Sequence, residues 1–429
     1  MKNFFSFTAR NTTFKREVFA GLTTFLSISY ILVVNPLILS QAGMDRGAVF
    51  TATALTAIIG SLLIGLLANY PIAIAPSMGL NSFFTFSVCI GMGIDWEVAL
   101  TGVFVAGIIF TILSLMKIRE KIINAIPEDL KHAIASGIGF FIAFIGLKNA
   151  GIIVSDEATY VTIGNLTSPM TALAVIGLVV TILMLVIGIN GGIFYGMVIT
   201  TFIGMIFGLI DKPSSIIGKI PSLEPTFGVV FSNLHEIFTP ELLAVIFTFV
   251  FVAFFDTAGA LIGLTSQAGM MKDNKIPNIG KALFADSSAG VVGAVLGTST
   301  PATSVESSAG IAVGGRTGFT SVVIAACFAI ALFFSPILAV ITTEVTAPAL
   351  IVVGALMAMQ VSDINWSKLE IAIPSFITII MMPLSSSVAT GIAFGFILYP
   401  LALMAQKRFK EVHPIMYALC ILFILYFVL

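Results

Sequence analysis

Long apolar runs alternate with short polar joints along the whole chain. Four runs, at about 18–36, 49–68, 72–90 and 98–116, are followed by three at about 132–148, 171–189 and 192–210. A more polar stretch, 211–241, precedes seven further runs at about 242–264, 281–296, 299–313, 318–341, 345–360, 370–383 and 386–404. A helix of roughly 20 apolar residues crosses the hydrocarbon core of a bilayer. The pattern therefore predicts an all-α polytopic membrane protein with fourteen transmembrane segments, seven on either side of the polar stretch. A last apolar stretch, 415–428, is only fourteen residues long. That is short of a full span, and its status stays open.

The runs are not all of one kind. Most read as Leu/Ile/Val/Phe helices, but the third and the tenth are interrupted by proline and small polar residues. The third is YPIAIAPSMGLNSFFTF (70–86) and the tenth lies within GTSTPATSVESSAGIAVGG (297–315). Laid over one another, Pro76 matches Pro301, Gly79 matches Ser304, Asn81 matches Glu306 and Ser82 matches Ser307. Each stands third in its own set of seven. An odd number of crossings makes the second set enter from the opposite side, so the halves form a 7+7 inverted repeat. Broken chain at membrane depth needs internal partners, because lipid cannot satisfy its amides and carbonyls. The extended halves IAIAPSMG and GTSTPATS are therefore expected to pair, with half-helices starting at about Asn81 and Glu306 and aiming their free amides at the centre.

Composition and charge sharpen this picture. The chain is 58% hydrophobic and 10% charged, with a mean hydropathy of +1.10, whereas soluble domains carry roughly a quarter charged residues. With the N-terminus in the cytoplasm, sixteen of the twenty Lys and Arg fall on the cytoplasmic side, leaving Arg46, Lys148, Lys212 and Lys219 outside. That asymmetry fits the positive-inside rule and places the protein as multi-pass in the cytoplasmic membrane, in contact with lipid. The N-terminus itself is basic and partly amphipathic, without a cleavable-signal pattern, and reads as a lead-in to the first span. A net charge of −1 argues against nucleic acid as a partner. Cys89, Cys327 and Cys420 all lie in apolar runs and suggest neither disulfides nor a metal site. No nucleophile motif, metal cluster or cofactor motif is found, so no catalytic residue, metal or cofactor is assigned.

The candidate chemistry lies in two carboxylates. A charged group at bilayer centre costs roughly 2.5–3.5 kcal/mol on insertion scales, so such residues usually face a cavity and act there. Glu306 stands at the break of the tenth segment. A plain helix cap would explain an acid there, but not the unwound chain before it. Asp256 lies mid-span in FTFVFVAFFDTAGALIG (247–263), where the plainer reading is an aspartate hydrogen-bonded to Thr257 or another hydroxyl. Asp286 and Glu344, nearer segment ends, and the acids in loops read as solvated and structural. The three histidines sit at interfaces. No Lys or Arg occupies the central parts of these segments, so an anionic substrate would lack a countercharge. Paired carboxylates instead suit a planar heterocycle that presents N–H donors, and two close acids can share a coupling proton. Asn81, Thr303, Ser304 and the backbone near Val305 supply further polar contacts, and Phe83, Phe84 and Phe255 are candidates to stack on a flat ring.

At these residues a family resemblance becomes specific. GLTTFLSISYILVVNP (21–36), APSMGLNSFFTF (75–86), FFDTAGALIG (254–263) and TSTPATSVESSAGI (298–311) resemble the nucleobase permeases of the uracil-permease fold. Within them the chain is similar to the AzgA-like branch that carries hypoxanthine, guanine and adenine. The resemblance implies a core domain (1–118 and 242–342) moving against a gate domain (119–241 and 343–405), followed by a joint and short apolar segment (406–429). It also implies proton-coupled purine uptake, sodium remaining an alternative coupling ion, and a homodimer formed through the gate domains. Glu306 matches the family's base-binding glutamate and Asp256 the acid of the eighth segment, which is a glutamate in uracil-type relatives. Asn81 matches the asparagine of the purine branch. Ala260 stands where uracil permeases carry a histidine, which disfavours uracil. Transport of xanthine or uracil, or an anion carrier on the same fold, are the alternatives.

Overall fold

A computed structural model describes residues 4–115, 127–213, 215–270 and 277–428. The core–gate boundary expected at 118/119 lies outside the described residues. Segment one is two helices, α1 (Phe14–Ile28) and α2 (Ile31–Ser40), meeting at Ser29 and Tyr30. The cause of the bend is local. Thr23, Ser27 and Ser29 hydroxyls donate back to carbonyls three or four residues earlier. Segment two is α3 (Arg46–Leu63) with a π-turn over Ile64–Ala68. Segment three opens with β1 (Ile74–Pro76), turns into α4 (Met78–Ser82) and continues as a π-helix to Gly91. Then come α5 (Trp96–Leu115) and α6 (Glu128–Asn149), an exposed hairpin of β2 (Ile153–Asp156) and β3 (Tyr160–Ile163), α7 (Pro169–Val186) and α8 (Gly192–Ile206).

The second half repeats this order. It runs α9 (Pro240–Gln267), α10 (Ile279–Leu296), β4 (Pro301–Thr303), α11 (Ser307–Ala312), α12 (Gly318–Ala331) and α13 (Ser335–Ala339). It ends with α14 (Thr343–Ala358), α15 (Leu369–Leu384), α16 (Val388–Ala405) and α17 (Pro414–Val428), the last packed on α16. Nine helices among the described residues are long and apolar enough to span a membrane, and four shorter apolar helices accompany them. The strand and short helix of 301–312 complete the fourteen segments. The protein is thus an all-α membrane protein built as a 7+7 inverted repeat, with segments three and ten each part strand and part half-helix.

Helices from both halves interleave. One set packs α5 on α9 and α10, α10 on α3, and α12 on α1 and α3. Another packs α6 on α14 and α15, and α7 on α8 and α14. The α6–α14 crossing is backbone to backbone, because a Cβ on Gly139 would lie 2.6 Å from the Gly354 carbonyl oxygen, and one on Gly354 would clash with that of Gly139. Small residues let helices approach this closely where lipid gives no hydrophobic drive for association. Gly354→Val is therefore expected to destabilise the protein by about 3 kcal/mol, read as a lower unfolding temperature in detergent. An unchanged temperature would mean that the two helices do not meet there.

Candidate substrate site

The two broken segments meet in the interior. Strands β1 and β4 pair antiparallel with Ile74 opposite Thr303, Ala75 opposite Ala302 and Pro76 opposite Pro301. The ribbon is extended at both ends, where Ser77 N donates to Thr300 O (3.1 Å) and Ser304 N to Ala73 O (2.9 Å). Its outer edge is met by hydroxyls, with Ala73 N donating to Ser307 Oγ (2.9 Å) and Ile74 N to Ser61 Oγ (3.2 Å). Prolines at the ends of so short a ribbon cost few ladder bonds. The pairing expected from the sequence is present, but the helical halves begin at Met78 and Ser307. In the register of the ribbon, β1 ends at its proline whereas β4 begins at one. The second arm therefore stays extended longer. Glu306 consequently stands at its helix start, whereas Asn81 is carried a turn into α4.

That offset separates the roles of the two positions. Glu306 is half-buried and accepts a hydrogen bond on Oε1 from the Tyr30 hydroxyl at 2.6 Å. Asp256, on α9, is half-buried and accepts from Ser77 Oγ at 2.8 Å. Helix α9, which carries Asp256, packs against α11, whose N-cap position Glu306 occupies. Among the described residues no Lys or Arg forms an ion pair with either. Ser304 is half-buried and Val305 is 55% exposed, so the end of the broken segment opens onto accessible space. Asn81 is 0% exposed. Its amide nitrogen donates to Asn35 Oδ1, and Asn35 Nδ2 in turn donates to Thr53 Oγ1 (2.7 Å) and Thr298 Oγ1 (3.0 Å). Asn81 thus sits in a polar network joining segments one, two, three and ten. Phe83 and Phe84 are buried against Phe249. The Phe255 side chain lies outside the described residues.

Asp286 needs correcting. Expected near a solvated segment end, it is 1% exposed and lies two turns inside α10. Its carboxylate accepts from Thr257 Oγ1 (2.6 Å), next to Asp256, and from Thr303 Oγ1 (3.0 Å), on β4. A third buried acid therefore ties α9 to the ribbon, and the Thr303 hydroxyl is turned toward it. Tyr30 and Ser77 were also missed as partners of the two acids. Both lie in motifs quoted above, and a lone tyrosine amid ILVV-type residues was the available signal.

The Permease family matches residues 15–394, which include both broken segments and every acid described above. The chain belongs to the Permease family. Over 437 residues this permease is 54% identical to the guanine/hypoxanthine permease PbuG of Bacillus subtilis (strain 168), covering 100% of this chain and 99% of that protein. It is 40% identical over 426 residues to the adenine permease AdeP of Escherichia coli (strain K12), covering 99% and 95%. Among solved structures it resembles the transmembrane domain of a cyanobacterium bicarbonate transporter, BicA, with a TM-score of 0.65 at 17% identity over 88% of this chain and 97% of that one. SLC26A9 gives a TM-score of 0.67 at 12% identity, covering 91% and 65%. At such identities the solved structures speak for the fold alone. The resemblance to nucleobase permeases read from the motifs is borne out, and this permease is a transporter rather than an enzyme.

Proposed function

We propose that this permease is a proton-coupled symporter that imports purine nucleobases, hypoxanthine, guanine or adenine, across the cytoplasmic membrane. The observation that carries the reading is the pair Asp256 and Glu306, half-buried where the two inverted halves join. Ionised carboxylates are acceptors only, and among the described residues neither of these two is ion-paired with a Lys or Arg. They suit the N–H edge of a flat neutral base and repel an anion. The names of PbuG and AdeP point to the same substrate class. Glu306 receives the N–H edge of the base, Asp256 faces it from α9, and Ser304 with the backbone near Val305 adds polar contacts. One of the two acids carries the coupling proton.

The core domain, 1–118 and 242–342, then moves against the gate domain, 119–241 and 343–405, exposing the site to either side in turn. Supporting this, half-helix α4 touches gate helix α6 closely, a Cβ on Gly79 falling 2.7 Å from Ile138 Cγ2. The N-terminus is cytoplasmic, and two copies associate through their gates. An anion carrier is the second reading, prompted by the fold shared with the bicarbonate transporter BicA. Two acids with no Lys or Arg ion-paired to them among the described residues weigh against it. Uptake of labelled hypoxanthine by cells expressing the permease tests the proposal. Saturable uptake abolished by a protonophore is the expected result. Absence of purine uptake from protein that has inserted normally would refute it, and uptake that follows sodium instead would replace the coupling ion.

A further inference from the structure

Glu17 is a buried carboxylate that the proposed transport cycle does not use. It lies in the first turn of α1, where an acid would ordinarily be solvated, yet it is 0% exposed. Its Oε1 accepts from Arg316 N (3.0 Å). Its Oε2 accepts from Thr317 N (3.2 Å), Thr317 Oγ1 (2.8 Å) and Thr320 Oγ1 (2.6 Å). All four donors belong to the turn that follows α11 and the start of α12. Only a carboxylate offers enough lone pairs to take so many donors at once.

The same turn is fastened from several sides. Arg316 Nη1 donates to Ile311 O (2.6 Å), at the C-terminal end of α11, and to Gly315 O (2.7 Å) in the turn that follows. Arg10 Nη1 donates to Arg316 O (2.8 Å) and to Asn69 O (3.1 Å), just ahead of β1. Asn69 Oδ1 accepts from Gly318 N (2.7 Å). Along its length α11 lies directly on α1, since a Cβ on Gly310 would come 2.5 Å from Ala20 O and nearer still to Thr24 Oγ1. A helix of six residues is about 9 Å long and has no stability of its own, so its place is set by whatever holds its two ends. Tyr30 holds one end through Glu306, and Glu17 holds the other.

We propose that Glu17 is a positioning residue for Glu306: by gathering the 316–320 turn it fixes the axial position of α11 and so the place of the carboxylate that receives the base. This rests on the proposed contact of Glu306 with substrate. A shift at the turn reaches Glu306 undamped through so short a rod, and misplacement of a binding group by ~1 Å can cost orders of magnitude.

Glu17→Gln in the full-length protein is the test, because the amide sets an N–H2 against the same donors. In membrane vesicles the KM for hypoxanthine is expected to rise about tenfold, with the maximal rate per inserted carrier little changed. The Thr317→Val/Thr320→Val double variant, which keeps the carboxylate and both amide bonds, raises KM in the same direction by less. A purely structural role would lower the amount of inserted protein, or the maximal rate, and leave KM alone. That result overturns the inference, and the double variant decides if Glu17→Gln fails to insert. A second readout does not depend on the cargo. A Val305→Cys probe, in a protein whose Cys89, Cys327 and Cys420 are replaced by alanine, should react with a soluble thiol reagent at a rate that changes several-fold when Glu17→Gln is added. An unchanged rate overturns the positioning role even if the substrate is not a purine, whereas a changed rate without purine uptake leaves it standing and refutes only the proposed function.

Discussion

Glutamine at position 306 is expected to abolish saturable purine uptake while the protein still inserts into the membrane. The carboxylate of Glu306 is an acceptor on both oxygens, one of which already receives the Tyr30 hydroxyl. The amide of Glu306→Gln keeps one acceptor and sets a donor against either the tyrosine or the N–H edge of the base. Spoiling one partner of a buried, charge-assisted hydrogen bond typically costs 2–5 kcal/mol, and about 3 kcal/mol is roughly a hundredfold in affinity. Binding of hypoxanthine to the purified variant, followed by thermal stabilisation, should therefore fall below detection at concentrations that saturate the parent protein. A variant that still accumulates purine against its gradient would remove Glu306 from the site.

For Asp256→Asn the expected loss concerns coupling more than binding. The side chain keeps an oxygen that can accept from Ser77, so the local structure survives. A carboxyl that carries the proton must be loaded at the outer face and emptied at the inner one. With the proposed coupling, uptake by the parent protein is expected to decline as external pH rises through the range where loading fails. Asparagine is neutral at every pH and has no proton to release. The variant should lose net accumulation, retain exchange of labelled for unlabelled base across vesicles, and show a flat pH profile for that exchange. A profile that follows the parent's would take Asp256 out of the coupling step and leave Glu306 as the carrier of the proton.

Much of the fold was legible because its signals are local. Apolar runs count the segments, and a proline with flanking hydroxyls marks a break wherever it interrupts one. The pairing of β1 with β4 followed from the need of such breaks for internal partners. What escaped depends on depth and direction, which a run of letters does not carry. Tyr30 reaches Glu306 across 276 positions and Ser77 reaches Asp256 across 179. Asp286 looked peripheral because hydrophobicity alone does not say how far into a helix bundle the water reaches. Glu17 fell just outside the first apolar run, which was expected to start at 18, whereas α1 starts at Phe14. Asn81 was expected at the start of its half-helix, whereas the start at Met78 carries it almost a full turn further along the axis, where it meets Asn35.

The antiparallel ribbon of Ile74–Pro76 with Pro301–Thr303 has one more consequence. Its rungs rivet the arm that leads to Glu306 to the arm whose Ser77 donates to Asp256, so neither arm can be drawn aside while its mate stays put. In the proposed transport cycle such a cradle is expected to travel as a single cargo hold and to greet the solute with equal grip on either face. Accumulation in that cycle is expected to draw on the ion gradient acting on occupancy, with no tightening or loosening of the hold along the journey.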